Sequence, residues 1–365
     1  MPVPSALLVF VSMFAADPAG GIQAFHLDPA AGTLTAAATT RAGAHSFFLA
    51  LSPDAPLVYA LTAGTFGDAA TEEVTAWRVA DRDGRLEPLG RRPAAGAATC
   101  YVAPGGPAKA LLLAHYSGAT LATLPLADDG TLAGDPAVIA PGCTGSGVVP
   151  GRQAGPHPHA IILAPAAAGM PRFVYAADLG CDRILGYRLD GTSGRLGADD
   201  TATTTTPPGA GPRHLTFHPD GRRLYVINEL ANTVGVYDFD AATGRLTERQ
   251  MIPTLPADVA GPSYTADVRI TPDGAFLYGT NRGHDSIAVY AIAADGTLTL
   301  VEIVPSRGKG PQNLAITPDG RLLLCANMPG NSLAVFRIDR VTGRLTPVGE
   351  PIEVTAPSSI AIVPR

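Results

Sequence analysis

The chain has 365 residues and a formal net charge of −6, with 46% hydrophobic and 16% charged residues. The apolar share is ample for a packed core, and the low charge without a basic stripe excludes nucleic acid as a partner. The 41 glycines and 34 prolines punctuate short Val/Leu/Ile/Tyr runs at regular intervals, which is the pattern of turn-rich β structure and not of disorder.

The first predicted element is a buried strand from Leu7 to Met13. Its apolar run imitates a signal peptide, but nothing basic precedes it. No run reaches the length of a membrane span, so no membrane association is expected. The four cysteines, Cys100, Cys143, Cys181 and Cys325, show no CxxC spacing. They read as buried free thiols, with neither a disulfide framework nor a zinc site, and so as a chain of the reducing cytoplasm.

From Leu34 onward the chain repeats. A motif close to D-G-x-L or T-G-x-L ends at Leu34, Leu86, Leu132, Leu196, Leu246, Leu298 and Leu345, with spacings of 52, 46, 64, 50, 52 and 47 residues. Inside each unit a Pro-initiated hairpin recurs, as in "LSPDAPLVYAL", "FHPDGRRLYVINE", "ITPDGAFLYGTNR" and "ITPDGRLLLCANM", with "VAPGGPAKALLLAHY" a degraded copy. A third strand follows, and a fourth begins at the motif leucine. Four short strands at this period predict the blade of a propeller. The first unit starts at its second strand, and "APSSIAIVPR" supplies an orphan first strand at the other end. The predicted fold is therefore all-β, a seven-bladed β-propeller over residues 1–365 as a single domain. Its four-stranded antiparallel blades form a ring, the first blade closed by the C-terminal strand.

In such a ring the opening of strand one and the close of strand two share one face. That phase gathers His157, His159 and Asp178 in blade four, and Arg213, His214, Asn228 and Glu229 in blade five. Blade six adds Thr265, Asp267, Asn281, Arg282 and His284, and blade seven adds Lys309, Gln312, Asn313 and Asn327. Asn228, Asn281 and Asn327 recur at one phase, which marks a framework role. Arg213, Glu229 and Arg282 each occur in one blade only, as site residues do. Across the "FHPDGRR" turn a simple register sets Arg213 opposite Glu229. The pair His157 and His159 lacks a third ligand at a usual spacing, so no metal is expected. The mouth reads as charged and polar, which favours an enzyme over a non-catalytic binding scaffold.

At "GPHPHAIILAP", "FVYAADLGCDRILGYRLD", "GPRHLTFHPDGRRLYVINEL", "TADVRITPDGAFLYGTNRGHDSIAVY" and "GPQNLAITPDGRLLLCANMPGNSLAVFRID" the sequence resembles the seven-bladed propeller lactonases. That group includes the propeller-type 6-phosphogluconolactonases and the 3-carboxy-cis,cis-muconate lactonizing enzymes. The resemblance implies an active set of His159, Arg213, Glu229 and Arg282. His157, Asp178, His214, His284, Lys309, Gln312 and Asn313 are the expected substrate-binding residues. It implies hydrolysis of a sugar-acid lactone by general acid/base chemistry without metal or organic cofactor, with muconate cycloisomerisation as the alternative. The expected partner is a small anionic lactone or dicarboxylate, and the expected state a monomer or small homo-oligomer. Pairing with Arg213 makes Glu229 a poor acid, so His159 is the expected proton donor. Gln312 stands where many relatives carry arginine, and His115 where they often carry asparagine. Both departures leave the substrate open.

Overall fold

The computed structural model describes residues 6–167, 169–259 and 261–363. Seven antiparallel sheets follow one another along the chain, and their innermost strands pack side by side in a closed ring. Blade one comprises Leu7–Met13, Gly21–Leu27 and Leu34–Thr40, and takes Pro357–Val363 as its inner strand. The seam is a long antiparallel pairing, from Leu8 against Val363 to Met13 against Pro357, so neither end strand is left as an open edge.

The apolar cores lie between neighbouring blades. One cluster runs through blades two to five, and smaller ones fill the gaps between five and six, six and seven, seven and one, and one and two. Strand two of each blade is buried along nearly its whole length, as Leu57–Ala63 and Phe173–Asp178 illustrate. This explains why those segments read as continuous apolar runs and not as alternating ones.

The repeated motifs have distinct physical roles. The motif glycines 84, 194, 244, 296 and 343 have φ between 66° and 76° or at 85°, which a side chain rarely tolerates. Three of their carbonyls also serve the neighbouring blade: Tyr225 Oη donates to Gly296 O at 2.8 Å, Tyr278 to Gly343 O at 2.8 Å, and Tyr175 to Gly244 O. One hydroxyl per hairpin thus latches each of these blades to the next. Tyr225→Phe keeps the ring and removes the latch, so a loss of about 1 kcal/mol in urea unfolding is expected. An unchanged midpoint would mean that packing alone holds that seam.

A second latch sits on the opposite face. Asp182, Asn232, Asp285 and Asn331 all hold φ between 49° and 54°, and their side chains bond the backbone of the following blade. Asp and Asn accept this left-handed geometry better than other residues. The recurrent Asn228, Asn281 and Asn327 bond Thr233, Thr254 and Ser306 respectively, as framework residues should.

Two expectations need correction here. Leu132 forms only an isolated bridge with Leu126, and the fourth strand of blade three is the short Ala137–Ile139. Gly134 at φ 69° and the donor-less Pro136 break the strand between them. The cysteines are also not all thiols. Cys143 and Cys181 form a disulfide, while Cys100 and Cys325 are buried and free. Because the two partners lie 38 residues apart, spacing alone gave no sign of the bond.

Candidate active site

The inner strands share an irregularity that builds the site. In blade five Pro212 pairs with Asn228 and His214 with Ile227, leaving Arg213 as an extra residue between them. Arg213 is therefore not laddered opposite Glu229, as a simple register requires. It occupies a β-bulge, which re-aims its side chain toward the channel. The same insertion places Cys100 in blade three, His159 in blade four, Gln312 in blade seven and Ser358 in blade one. In blade six two residues, Ala266 and Asp267, fall in the irregular stretch. Four of these bulge residues, Cys100, His159, Arg213 and Gln312, line one cavity of about 430 Å³ at the mouth.

Glu229 is the centre of the charge cluster. Its Oε1 accepts from Arg152 Nη2 at 2.6 Å, while Oε2 lies 2.9 Å from Arg213 Nε and 3.0 Å from Arg282 Nη2. Three guanidinium groups thus meet one carboxylate, and the carboxylate is 4% exposed. Burial would raise the Glu229 pKa, but Arg282, Arg213 and Arg152 outweigh it and hold it below its ordinary value. Arg213 is buried as well, and desolvation together with Arg282 brings it down to about 10. It remains a cation at neutral pH. Arg282 is further fixed by Thr265 O at 3.0 Å and Gln312 Oε1 at 3.3 Å.

His159 stands beside this cluster, with its ring 5.3 Å from that of Tyr116 and 5.4 Å from that of His214. Desolvation comes first, and the Arg213 guanidinium adds to it, so the imidazole pKa falls well below 6.5. At neutral pH His159 is uncharged. As a neutral ring it can deliver a proton to a leaving group only after first taking one up. Glu229, held below its ordinary pKa, is ionised at neutral pH.

The other expected binding residues fall into two layers. Only Gln312 lines the cavity. His214 and Asn313 belong to a buried network below it, where Asp267 accepts from His214 Nδ1 at 2.8 Å, Asn313 Nδ2 at 2.7 Å and Arg269 Nε at 3.1 Å. Arginine can only donate, so the contact of Arg213 Nη1 with His214 Nε2 makes Nε2 the acceptor and Nδ1 the protonated nitrogen. His157 stacks on Tyr116 at 4.5 Å, and Asp178 caps the backbone N–H groups of His157 and Cys181. His284 bonds Ser286, and Lys309 is not part of the cavity wall.

The sequence matches the family described as "Lactonase, 7-bladed beta-propeller" over residues 8–362. The chain belongs to this family. It is 31% identical to a 6-phosphogluconolactonase of Bacillus subtilis over 286 residues, covering 78% of each chain. A 6-phosphogluconolactonase of Pectobacterium carotovorum is 32% identical over 276 residues, 75% of this chain and 77% of the other. Among solved structures, a periplasmic gluconolactonase of Pseudomonas aeruginosa superposes with a TM-score of 0.90 at 30% identity, covering 99% of both chains.

Sequence reasoning missed several lining residues of this lactonase-family propeller. Arg152 lies in the long loop before blade four, outside the repeat phase that revealed the rest. The loop is held at two places. The Cys143–Cys181 bond ties its first part, and the fully buried Gln153 donates to Leu179 O at 2.9 Å and Asp182 Oδ1 at 2.7 Å. Fixing Gln153 fixes its neighbour Arg152 over Glu229. Phe14, Phe47 and Phe66 were also missed, and they line the cavity from blades one and two. The mouth is therefore not charged and polar all round: one wall is aromatic.

Closing a loop of this length with a disulfide stabilises by about 3–4 kcal/mol in the chain-entropy account. Urea unfolding with and without dithiothreitol, and of Cys181→Ser, is expected to show a loss of that order. Equal midpoints would mean that the pair is not joined in solution. The cytoplasmic expectation rested on four thiols, and this bond removes two of them from that argument.

Proposed function

We propose that this propeller hydrolyses a lactone to its hydroxycarboxylate, with His159 as general base. The supporting observation is a neutral buried imidazole beside three guanidinium groups that share a single carboxylate. The cluster has net positive charge, which suits an anionic substrate and the oxyanion that forms when water adds to the carbonyl.

In this reading His159 takes a proton from water as the oxygen attacks the carbonyl carbon. Arg213 and Arg282 stabilise the developing oxyanion. The ring C–O bond then breaks, and the leaving alkoxide takes the proton from the His159 imidazolium. Glu229 stays ionised throughout and holds the arginines in place. It is a positioning residue in this scheme.

The relatives named 6-phosphogluconolactonase support a sugar-acid lactone as the substrate class. Muconate cycloisomerisation is the second reading, favoured by the number of arginines available to a substrate with several carboxylates. Hydrolysis of glucono-δ-lactone, its phosphorylated form and carboxymuconolactone, followed by proton release, separates the readings. Acceleration above background that disappears in His159→Asn is the expected result. A panel without any acceleration would sink the hydrolase reading and leave a binding scaffold.

A further inference from the structure

The cavity has two unlike walls. Arg152, Arg213 and Arg282 stand on one side with Glu229, and Phe14, Phe47 and Phe66 stand on the other. The three phenylalanine rings pack on one another, with centroids 5.2 Å, 5.0 Å and 5.2 Å apart. Phe14 and Phe66 belong to none of the inter-blade cores. All three are only half-buried.

Phe66 is not stranded there by a loose loop. Its loop between Leu57–Ala63 and Glu72–Val79 is pinned by Thr71 Oγ1 on Thr65 O at 3.0 Å. Gly67 N donates to Glu72 Oε1 at 2.8 Å, and Glu72 is itself buried and takes two further N–H groups from blade three. A braced loop that holds a phenylalanine toward water keeps apolar surface exposed that folding would otherwise bury. The rings meet edge-on, two of the three pairs near perpendicular, so they present a rough apolar wall and no flat platform for a sugar face. Ala98 and Met328 add apolar side chains to the lining, while Tyr116, Ser117 and Gln312 are among its uncharged polar members.

Resting on lactone hydrolysis but departing from the sugar-acid class of the relatives, we infer that the site takes a lactone with an apolar flank, alkyl or aryl, against the Phe14–Phe47–Phe66 wall. Ring opening leaves a carboxylate at the arginine end. A polyhydroxylated ring would turn some of its hydroxyls toward the three rings, which cannot pair them, and each unpaired polar group carries a desolvation cost. Each methylene buried there instead favours binding by about fourfold.

The test compares two ring-opened carboxylates, gluconate and a δ-hydroxyalkanoate with a medium alkyl chain, by titration calorimetry on the whole protein. The hydroxyalkanoate is expected to bind at least about tenfold more tightly, given the value per methylene. Phe66→Ala and, separately, Phe47→Ala are expected to remove most of that advantage while leaving gluconate binding unchanged. Equal or tighter binding of gluconate overturns the inference, as does an equal loss for both ligands in both variants. Turnover of the two parent lactones is measured in parallel. Failure of both lactones to hydrolyse counts against the catalytic reading alone, because the binding comparison does not depend on turnover.

Discussion

Glu229→Gln is expected to lower lactone hydrolysis at least about a hundredfold and to destabilise the fold by about 3 kcal/mol. Both effects come from one change of charge. The amide keeps the shape of the side chain but no longer balances three guanidinium groups, and Arg213 is buried with nowhere to discharge. Removing one partner of a buried ion cluster leaves an uncompensated charge, which costs more than the cluster contributes when complete. Urea unfolding reads the stability and the initial rate reads the activity. Arg282→Ala provides the control, because Arg282 is partly exposed and its loss leaves Glu229 still paired to Arg152 and Arg213. It should lose activity with a much smaller change in stability. If both variants turn over at the native rate while folded, the site lies elsewhere.

His159→Asn is expected to cost about 10²–10⁴ in kcat, the usual range for a general base. The pH profile carries more information than the rate. His159 acts in its unprotonated form, and its pKa is held well below 6.5 by burial and by the Arg213 guanidinium. The rate should therefore persist as pH falls through 6.5 and decline only at more acid pH, as the imidazole takes up a proton. Arg213→Leu removes the second cause and should move that acid limb upward, whatever its effect on the maximum. A limb at the ordinary histidine position in the native protein would show that His159 is solvated and would undo its role as a buried base. A rate that falls as pH rises, with activity only in acid, would restore the opposite assignment, a protonated donor.

The architecture was legible because a repeat is read many times over. Seven D-G-x-L-like motifs and the Pro-initiated hairpins each carry their own local reason, a left-handed glycine or a donor-less proline. The seam could be read because strand order in a ring leaves one strand without a partner. His159, Arg213, Glu229 and Arg282 were found by the same phase, and they share one cavity. What the repeat did not encode was not legible. Arg152 sits in an insertion, Phe66 in a loop of blade two, and Cys143 finds Cys181 across 38 residues.

The sequence by itself determined the ring, its closure and the face on which unrepeated polar residues gather. Turn chemistry and strand periodicity are local, and a chain that obeys them seven times has few other folds open to it. Only the tertiary structure decided what those residues are. Bulges turned Arg213 and His159 out of the ladder and into the channel, burial keeps His159 uncharged, and Asp267 drew His214 and Asn313 into a layer below the site. Charge state and reach depend on neighbours from other blades and on exclusion of water, and neither is written in the spacing of any one segment.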